Sequence, residues 1–352
     1  MKPAALVTGV VSDHRVEPFR ALAALEDVEI LAWDDPGPAG SGLPVRKVSQ
    51  WQAARLAGSG RYRAVIGGLG GRVALPATYL AARRARIPFV LWASLWAHPR
   101  SLVHTLSFAP MRAIYERADA VATYGPHVTR YVEQYRSAGN VFEAPQAVDP
   151  AVFGRAVSEA ERAAARERAG AAPDGFLALF AGRLVPEKGI ATLLEAWDEA
   201  AVPPGSALAL AGAGPVPVSG AGVRVLGPVA RDDLPALYAA ADVLVLPSLA
   251  TATFTEPWGL VCNEAMHQGT PVIASDAVGA AAGGLVVDGR TGLVVPAGDA
   301  EALAARISAL AAGPGLREPL GAAAREQVAA YTPQRWAEGM SRALTAAGAG
   351  NR

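Results

Sequence analysis

"FLALFAGRLVPEKGIATLLEAW", residues 176–197, reads as one strand, one turn and one helix. Six apolar residues run unbroken from Phe176 to Ala181, the signature of a strand buried on both faces. Gly182 permits a tight turn and close backbone approach. Arg183 and Lys188 share the following loop, and helical spacing starts at Ile190. Two cations beside the unpaired N–H groups of a helix start make an anion site. The G-x-x-x-x-G-K-[ST] order of a phosphate-binding loop is absent, so an ordinary surface Arg and Lys stay open at this point.

Outward from that stretch the same unit repeats. "ALALAGAG" (207–214), "VRVLG" (223–227), "VLVLPS" (243–248), "PVIAS" (271–275) and "GLVVP" (292–296) are further buried strands separated by helical stretches. In the first half the strands are "AALVTGVV" (4–11), "VEILAW" (28–33), "YRAVIGGL" (62–69), "PFVLWAS" (88–94) and "AVATYG" (120–125). Strand–helix alternation means a parallel sheet covered on both faces. Residues 143–175 hold prolines and an Ala-rich charged helix without a strand, as a linker does. The expected architecture is therefore α/β, with two doubly wound Rossmann-like domains facing a central cleft, over 1–165 and 172–330. Thr332-Pro333 then caps a last helix whose Trp336, Met340 and Leu344 recur every four residues. Residues 331–352 are expected to cross back to the first domain.

The chain has 352 residues, 51% of them hydrophobic, with 32 acids against 32 bases, enough for two cored domains. The charge is unevenly placed, since residues 36–115 carry ten Arg and one Lys without an acid. Such a stretch suits an acidic ligand or a membrane surface, with arginines solvated on helix faces as the alternative. Cys262 is the single cysteine. It excludes an internal disulfide, fits a reducing compartment, and is expected in the core. The apolar run in "MKPAALVTGVVSDHR" (1–15) is too short for a signal peptide. No stretch of about 18 uncharged apolar residues occurs. A cytoplasmic protein is expected, peripheral at the inner membrane face if the basic stretch meets lipid.

"EPWGLVCNE" (256–264) sets two glutamates eight positions apart. Pro257 and Gly259 break any helix before them, and a helix is expected from about Trp258 to Gln268. Glu256 then stands at the helix mouth beside the N–H groups of Trp258, Gly259 and Leu260, and Glu264 lies more than a turn inside. Acceptors for hydroxyls next to donors for an oxygen or phosphate suit a phosphorylated sugar.

"GRLVPEKG", "AGAGP" (211–215), "LYAAADVLVLPS", "EPWGLVCNEAMHQGTPVIASD" and "DGRTGLVV" come in one order over about 176–296. Together they resemble a retaining glycosyltransferase of family 4, of the GT-B fold, whose E-x7-E signature is matched by "EPWGLVCNE". "PQAVDPAVF" (145–153) is similar to that family's hinge segment, with Gln146 at its usual Asn. The resemblance implies a nucleotide-sugar donor, UDP- or GDP-linked, a hydroxylated acceptor, and neither cofactor nor metal. It implies that Arg183 and Lys188 grip the donor pyrophosphate, Glu256 the sugar hydroxyls and Glu264 the ribose hydroxyls. The backbone of Pro257, Trp258, Gly259 and Leu260 would meet sugar and phosphate. Gly182, Gly212 and Gly214 would line the same site, with the base near Val229. Arg183, Lys188, Glu256 and a first-domain histidine, His98, form the implied catalytic set.

The acceptor side is expected at Gly9, His14, Arg15 and His98. His104, His127 and His267 are expected to be structural. Relatives tend to carry a glycine pair where Gly9 stands alone, and an acid where Gly284 stands. No D-x-D occurs, which argues against a metal-dependent GT-A enzyme, and nothing suggests nucleic acid. Trp92 and Trp96 beside Arg83, Arg84 and Arg86 favour a lipid-phosphate-linked acceptor in cell-envelope synthesis. A small soluble natural product as acceptor, a GT-B nucleotide-sugar epimerase, a retaining glycosidase and a non-catalytic sensor are the alternatives.

Overall fold

The structure, a computed structural model, describes residues 2–34, 42–68, 73–99, 102–137 and 139–349. The chain divides into two compact units, Met1–Val148 with Tyr331–Arg352, and Asp149–Ala330.

The first unit is built on seven parallel strands: β1 (Ala4–Thr8), β2 (Val28–Ala32), β3 (Val45–Lys47), β4 (Ala64–Gly68), β5 (Phe89–Ala93), β6 (Ala120–Thr123) and β7 (Val141–Glu143). Their order is β3-β2-β1-β4-β5-β6-β7, and Leu6 of β1 pairs with both Ile30 and Ile66. The second unit holds β8 (Leu177–Ala181), β9 (Ala207–Ala211), β10 (Val223–Gly227), β11 (Val243–Leu246), β12 (Val272–Ser275) and β13 (Gly292–Val295), ordered β10-β9-β8-β11-β12-β13. Each order reverses direction beside its first strand, as doubly wound sheets do. Every residue of β5, β8 and β9 is buried, so the unbroken apolar runs correspond to strands covered on both faces.

The structure departs from the sequence expectations in three places. β3 ("VRK") and β7 ("VFE") are three-residue edge strands carrying charge, so neither shows an apolar run. The division falls at 148/149, not after 165. Residues 149–165, assigned above to the first domain, belong to the second unit, because the helix Glu159–Ala169 packs on β9, β10 and the helix Leu234–Ala240. The acid-free stretch is not electrostatically bare either. Glu29 of β2 pairs with Arg46 and Arg61, Glu26 with Arg63, and Asp119 with Arg83. Parallel pairing brings acids from outside 36–115 alongside its arginines. Arg55, Arg84 and Arg86 have no carboxylate partner among the described residues.

The helix Pro333–Leu344 closes the first unit. The Thr332 hydroxyl accepts from the Arg335 N–H at 3.1 Å, and Trp336, Met340 and Leu344 are wholly buried. Trp336 meets Phe19 at 5.7 Å and Trp92 at 5.4 Å between ring centroids. Ser341 Oγ donates to the buried Glu26 at 2.6 Å. Trp92, only 5% exposed, is therefore a core residue and not part of an outward basic face.

Candidate active site

In a doubly wound sheet ligands gather at the carboxyl ends of the strands where the order reverses, which in the second unit is between β8 and β11. The loop after β8 carries Gly182 to Gly189, and Pro247 and Ser248 follow β11 directly. The two loops meet at one ion pair. Lys188 Nζ donates to Glu256 Oε2, and Ser248 Oγ donates to the same oxygen at 3.2 Å. Both charged side chains are mostly buried, at 14% and 11% exposure. Around them the backbone is pinned, with the Gly279 N–H donating to Glu256 O at 3.0 Å and the Ala280 N–H to Trp258 O at 2.7 Å.

The helix after Glu256 runs Leu260–His267, two residues later than the sequence expectation. Gly259 precedes it with φ +93°, a left-handed conformation that favours glycine. Trp258 is buried, its indole N–H donating to Asn263 Oδ1 at 2.7 Å, so its side chain serves the core. In the first turn of this helix the Cys262 N–H donates to Gly259 O at 3.0 Å, and the first N–H groups of a helix have no partner four residues back.

At the carboxyl ends of β8 and β9 lies a cavity of about 480 Å³, lined by Gly182, Arg183, Gly212, Val229, Tyr238 and Glu264 among others. That volume is ordinary for a small-molecule site. The structure thus brings five of the expected donor residues to one cavity, and Lys188 and Glu256 are not among its lining residues. Gly214 lines a neighbouring cavity of about 320 Å³ with Leu184 and Val225. Gly212 has a reason within the chain itself, since a Cβ there would stand 1.8 Å from the Gly182 carbonyl oxygen. Arg183 is 69% exposed and approaches Glu187 only at 4.0 Å, which leaves its guanidinium available at the rim.

Glu264 lies in the wall of that cavity. The Tyr238 hydroxyl donates to its Oε2 at 2.6 Å. Burial pushes its carboxyl up to about 7, against the opposing effects of the Tyr238 hydrogen bond and the Arg231 charge. Burial likewise pushes the Tyr238 phenol up, with the Glu264 charge adding to it. Arg231 reaches Asp149 at 3.3 Å. Cys262 is fully buried, and its thiol is pushed up first by burial and then by the Glu256 charge, with Lys188 opposing and Glu264 adding. It is a core residue, as expected, and no nucleophile.

The acceptor-side residues lie in the first unit. Arg15 donates to Gln146 Oε1 at 2.8 Å and to the Tyr124 hydroxyl at 2.7 Å, and its guanidinium stacks 4.5 Å from the Trp92 ring centroid. His14 lies 3.2 Å from Ser12 Oγ through Nε2. Burial, then the Arg15 charge, lowers its pKa to about 4, which leaves it neutral at pH 7. Gly9 packs beneath Trp33, whose ring a Cβ would meet at 3.2 Å. His98 stacks on Phe108, with ring centroids 4.5 Å apart. His127 is buried against Trp96. The side chain of His104 lies outside the described residues. Sequence reasoning missed Ser248, Tyr238, Tyr124 and Gln146 as partners of site residues. Ser248 was signalled by its place directly after a buried strand, whereas Tyr238 lay hidden in the helical run "LYAAA".

Residues 175–312 match the family model for glycosyl transferases, group 1. A D-inositol 3-phosphate glycosyltransferase of Streptomyces bingchenggensis is 36% identical over 211 residues, covering 51% of this chain and 44% of that protein. One of Mycolicibacterium gilvum is 32% identical over 307 residues, covering 77% and 62%. The matched region thus spans about half the length of such relatives. HepE of Anabaena, solved in complex with UDP and glucose, shares the fold with a TM-score of 0.78 at 19% identity, covering 98% of this chain and 100% of that one. With the sheet order, the motif order and the match over 175–312 taken together, residues 175–312 belong to the group 1 glycosyl transferases, the family 4 type, in a chain that has the GT-B fold.

Proposed function

We propose that the chain moves a sugar from a UDP- or GDP-linked donor to an acceptor hydroxyl with retention at the anomeric carbon. The observation that carries this is the cavity with an exposed Arg183 and with Glu264 in its wall, together with the Lys188–Glu256 pair on the loops that follow β8 and β11. In the donor's absence Lys188 is neutralised by Glu256. An incoming diphosphate competes for the ammonium, and the released carboxylate becomes an acceptor for sugar hydroxyls. The bond from the anomeric carbon to the phosphate oxygen breaks through an oxocarbenium-like state. Arg183 and Lys188 face the charge that grows on the leaving diphosphate. The acceptor oxygen bonds on the same face and its proton passes to the departing phosphate. Two cations in the chain take the place of a metal, so turnover is expected to persist in EDTA.

A glycosidase needs two carboxylates about 5 Å apart on one sugar. Glu256 and Glu264 are instead engaged separately, by Lys188 with Ser248 and by Tyr238. Incubation with donor alone separates an epimerase, which converts the donor without acceptor. Calorimetry on two variants tests the carboxylate roles. Glu256→Ala is expected to weaken the nucleotide sugar more than the free nucleoside diphosphate, and Glu264→Ala to weaken both alike. Identical loss patterns in the two variants would undo the assignment.

Two acceptor classes have support. The names of the relatives point to a small phosphorylated polyol, which suits the cationic Arg15 cluster. A lipid-phosphate acceptor at a membrane is favoured by Trp51 and Leu80, 70% and 65% exposed on the helices Gln50–Ala57 and Ala74–Arg84, with Arg55, Arg84 and Arg86 nearby in sequence. Among the described residues no helix is long and apolar enough to cross a membrane. Sedimentation with anionic vesicles decides between the two. Binding that falls as salt shortens the Debye length from about 10 to about 3 Å, and that is lost in Arg55→Ala/Arg84→Ala/Arg86→Ala, supports the lipid. No binding at low salt supports the soluble polyol.

A further inference from the structure

We infer that Tyr238 is the positioning residue for Glu264: its hydroxyl holds one carboxylate oxygen so that the other is presented to the ribose diol of the nucleotide. The inference rests on the donor-site role proposed for Glu264. Tyr238 is wholly buried on the helix Leu234–Ala240, its phenol reaching Glu264 Oε2 at 2.6 Å. Among the described residues nothing in the chain donates to Oε1, and Glu264 lines the cavity. A carboxylate with one oxygen tied and one free has a fixed rotamer and a defined direction for accepting from a hydroxyl. An untied glutamate on a helix would lose side-chain entropy on binding.

The arrangement also sets the pH at which Glu264 works. The free oxygen accepts from a sugar hydroxyl most strongly while the carboxyl is ionised, and burial has raised that carboxyl to about 7. The neighbouring charged and titratable groups are Tyr238 and Arg231 from the preceding helix and its approach, Asp149 paired with Arg231, Cys262 and His267 on the glutamate's own helix, and Arg325 from the helix Pro314–Val328. Tyr238 and Arg231 hold the value down against burial. Loss of the phenol hydroxyl therefore moves it up.

The test compares UDP and GDP with their 2′-deoxy and 3′-deoxy counterparts by calorimetry between pH 6 and 9. Taking the ratio of affinities cancels the titration of the phosphates. The wild-type chain is expected to prefer the tighter-binding ribonucleotide about 10-fold or more above pH 8, with the preference fading below about pH 7. Tyr238→Phe keeps the ring and removes only the hydroxyl. Its preference is expected to fade about one pH unit higher, leaving about 3-fold less discrimination at pH 7, with the unfolding midpoint as a control for the core. Glu264→Leu, which offers no acceptor, is expected to abolish the preference at every pH. If Tyr238→Phe keeps the wild-type ratio and pH midpoint while Glu264→Leu loses the preference, the positioning role is overturned and the ribose role of Glu264 stands. If the wild-type chain does not discriminate, or Glu264→Leu still does, both fall.

Discussion

Lys188→Ala is expected to lower turnover about 10²-fold or more, and to lower stability as well. Arg183→Ala should match it in rate alone. The difference follows from burial. Lys188 is the cation of a mostly buried pair, and removing one partner of such a pair leaves an uncompensated charge at a cost of about 3–5 kcal/mol. Arg183 is 69% exposed, with only a 4.0 Å approach to Glu187, a contact worth about 0–1 kcal/mol. Adding Glu256→Gln to Lys188→Ala removes the stranded charge, so the double variant should recover stability without recovering turnover. Urea denaturation and initial rates, with the donor found by thermal-shift screening of nucleotide sugars, read both effects. Near-normal turnover in both single variants would reject the phosphate-grip role.

Trp336→Ala is expected to destabilise the first unit by about 3–5 kcal/mol, the usual cost of emptying a buried tryptophan site. The ring is wholly buried between Phe19 and Trp92, and Trp92 in turn supports the Arg15 guanidinium. The second unit has its own core, and UDP or GDP binding to it should survive below the transition. An unchanged urea midpoint would mean that the last helix is a dispensable cover.

Much of this was legible beforehand because buried parallel strands are written as unbroken apolar runs. Five of the six strands of the second unit had such a run; the edge strand β10, "VRVLG", is interrupted by Arg224 and is not buried. β3 and β7 did not, since three-residue edge strands with Arg46, Lys47 or Glu143 carry no periodic signal. Motif spacing located Arg183, Lys188, Glu256 and Glu264, but not what each one touches. That Lys188 pairs with Glu256, and that Tyr238 holds Glu264, depends on side chains 68 and 26 positions apart. The partners of the basic stretch stayed hidden for the same reason: Glu26, Glu29 and Asp119 lie outside it in sequence yet pair with Arg63, Arg61 and Arg83 within it.

The first unit is interrupted by the second and is closed by Tyr331–Arg352. During synthesis its seven strands leave the ribosome early, but the helix that covers Phe19 and Trp92 emerges only after Asp149–Ala330 has been made. At about 5–20 residues per second, those roughly 180 residues take on the order of 10–40 s. Throughout that interval the aromatic site for Trp336 lies open on a nascent chain, while the inserted unit is free to complete its own core. The part begun first is therefore finished last.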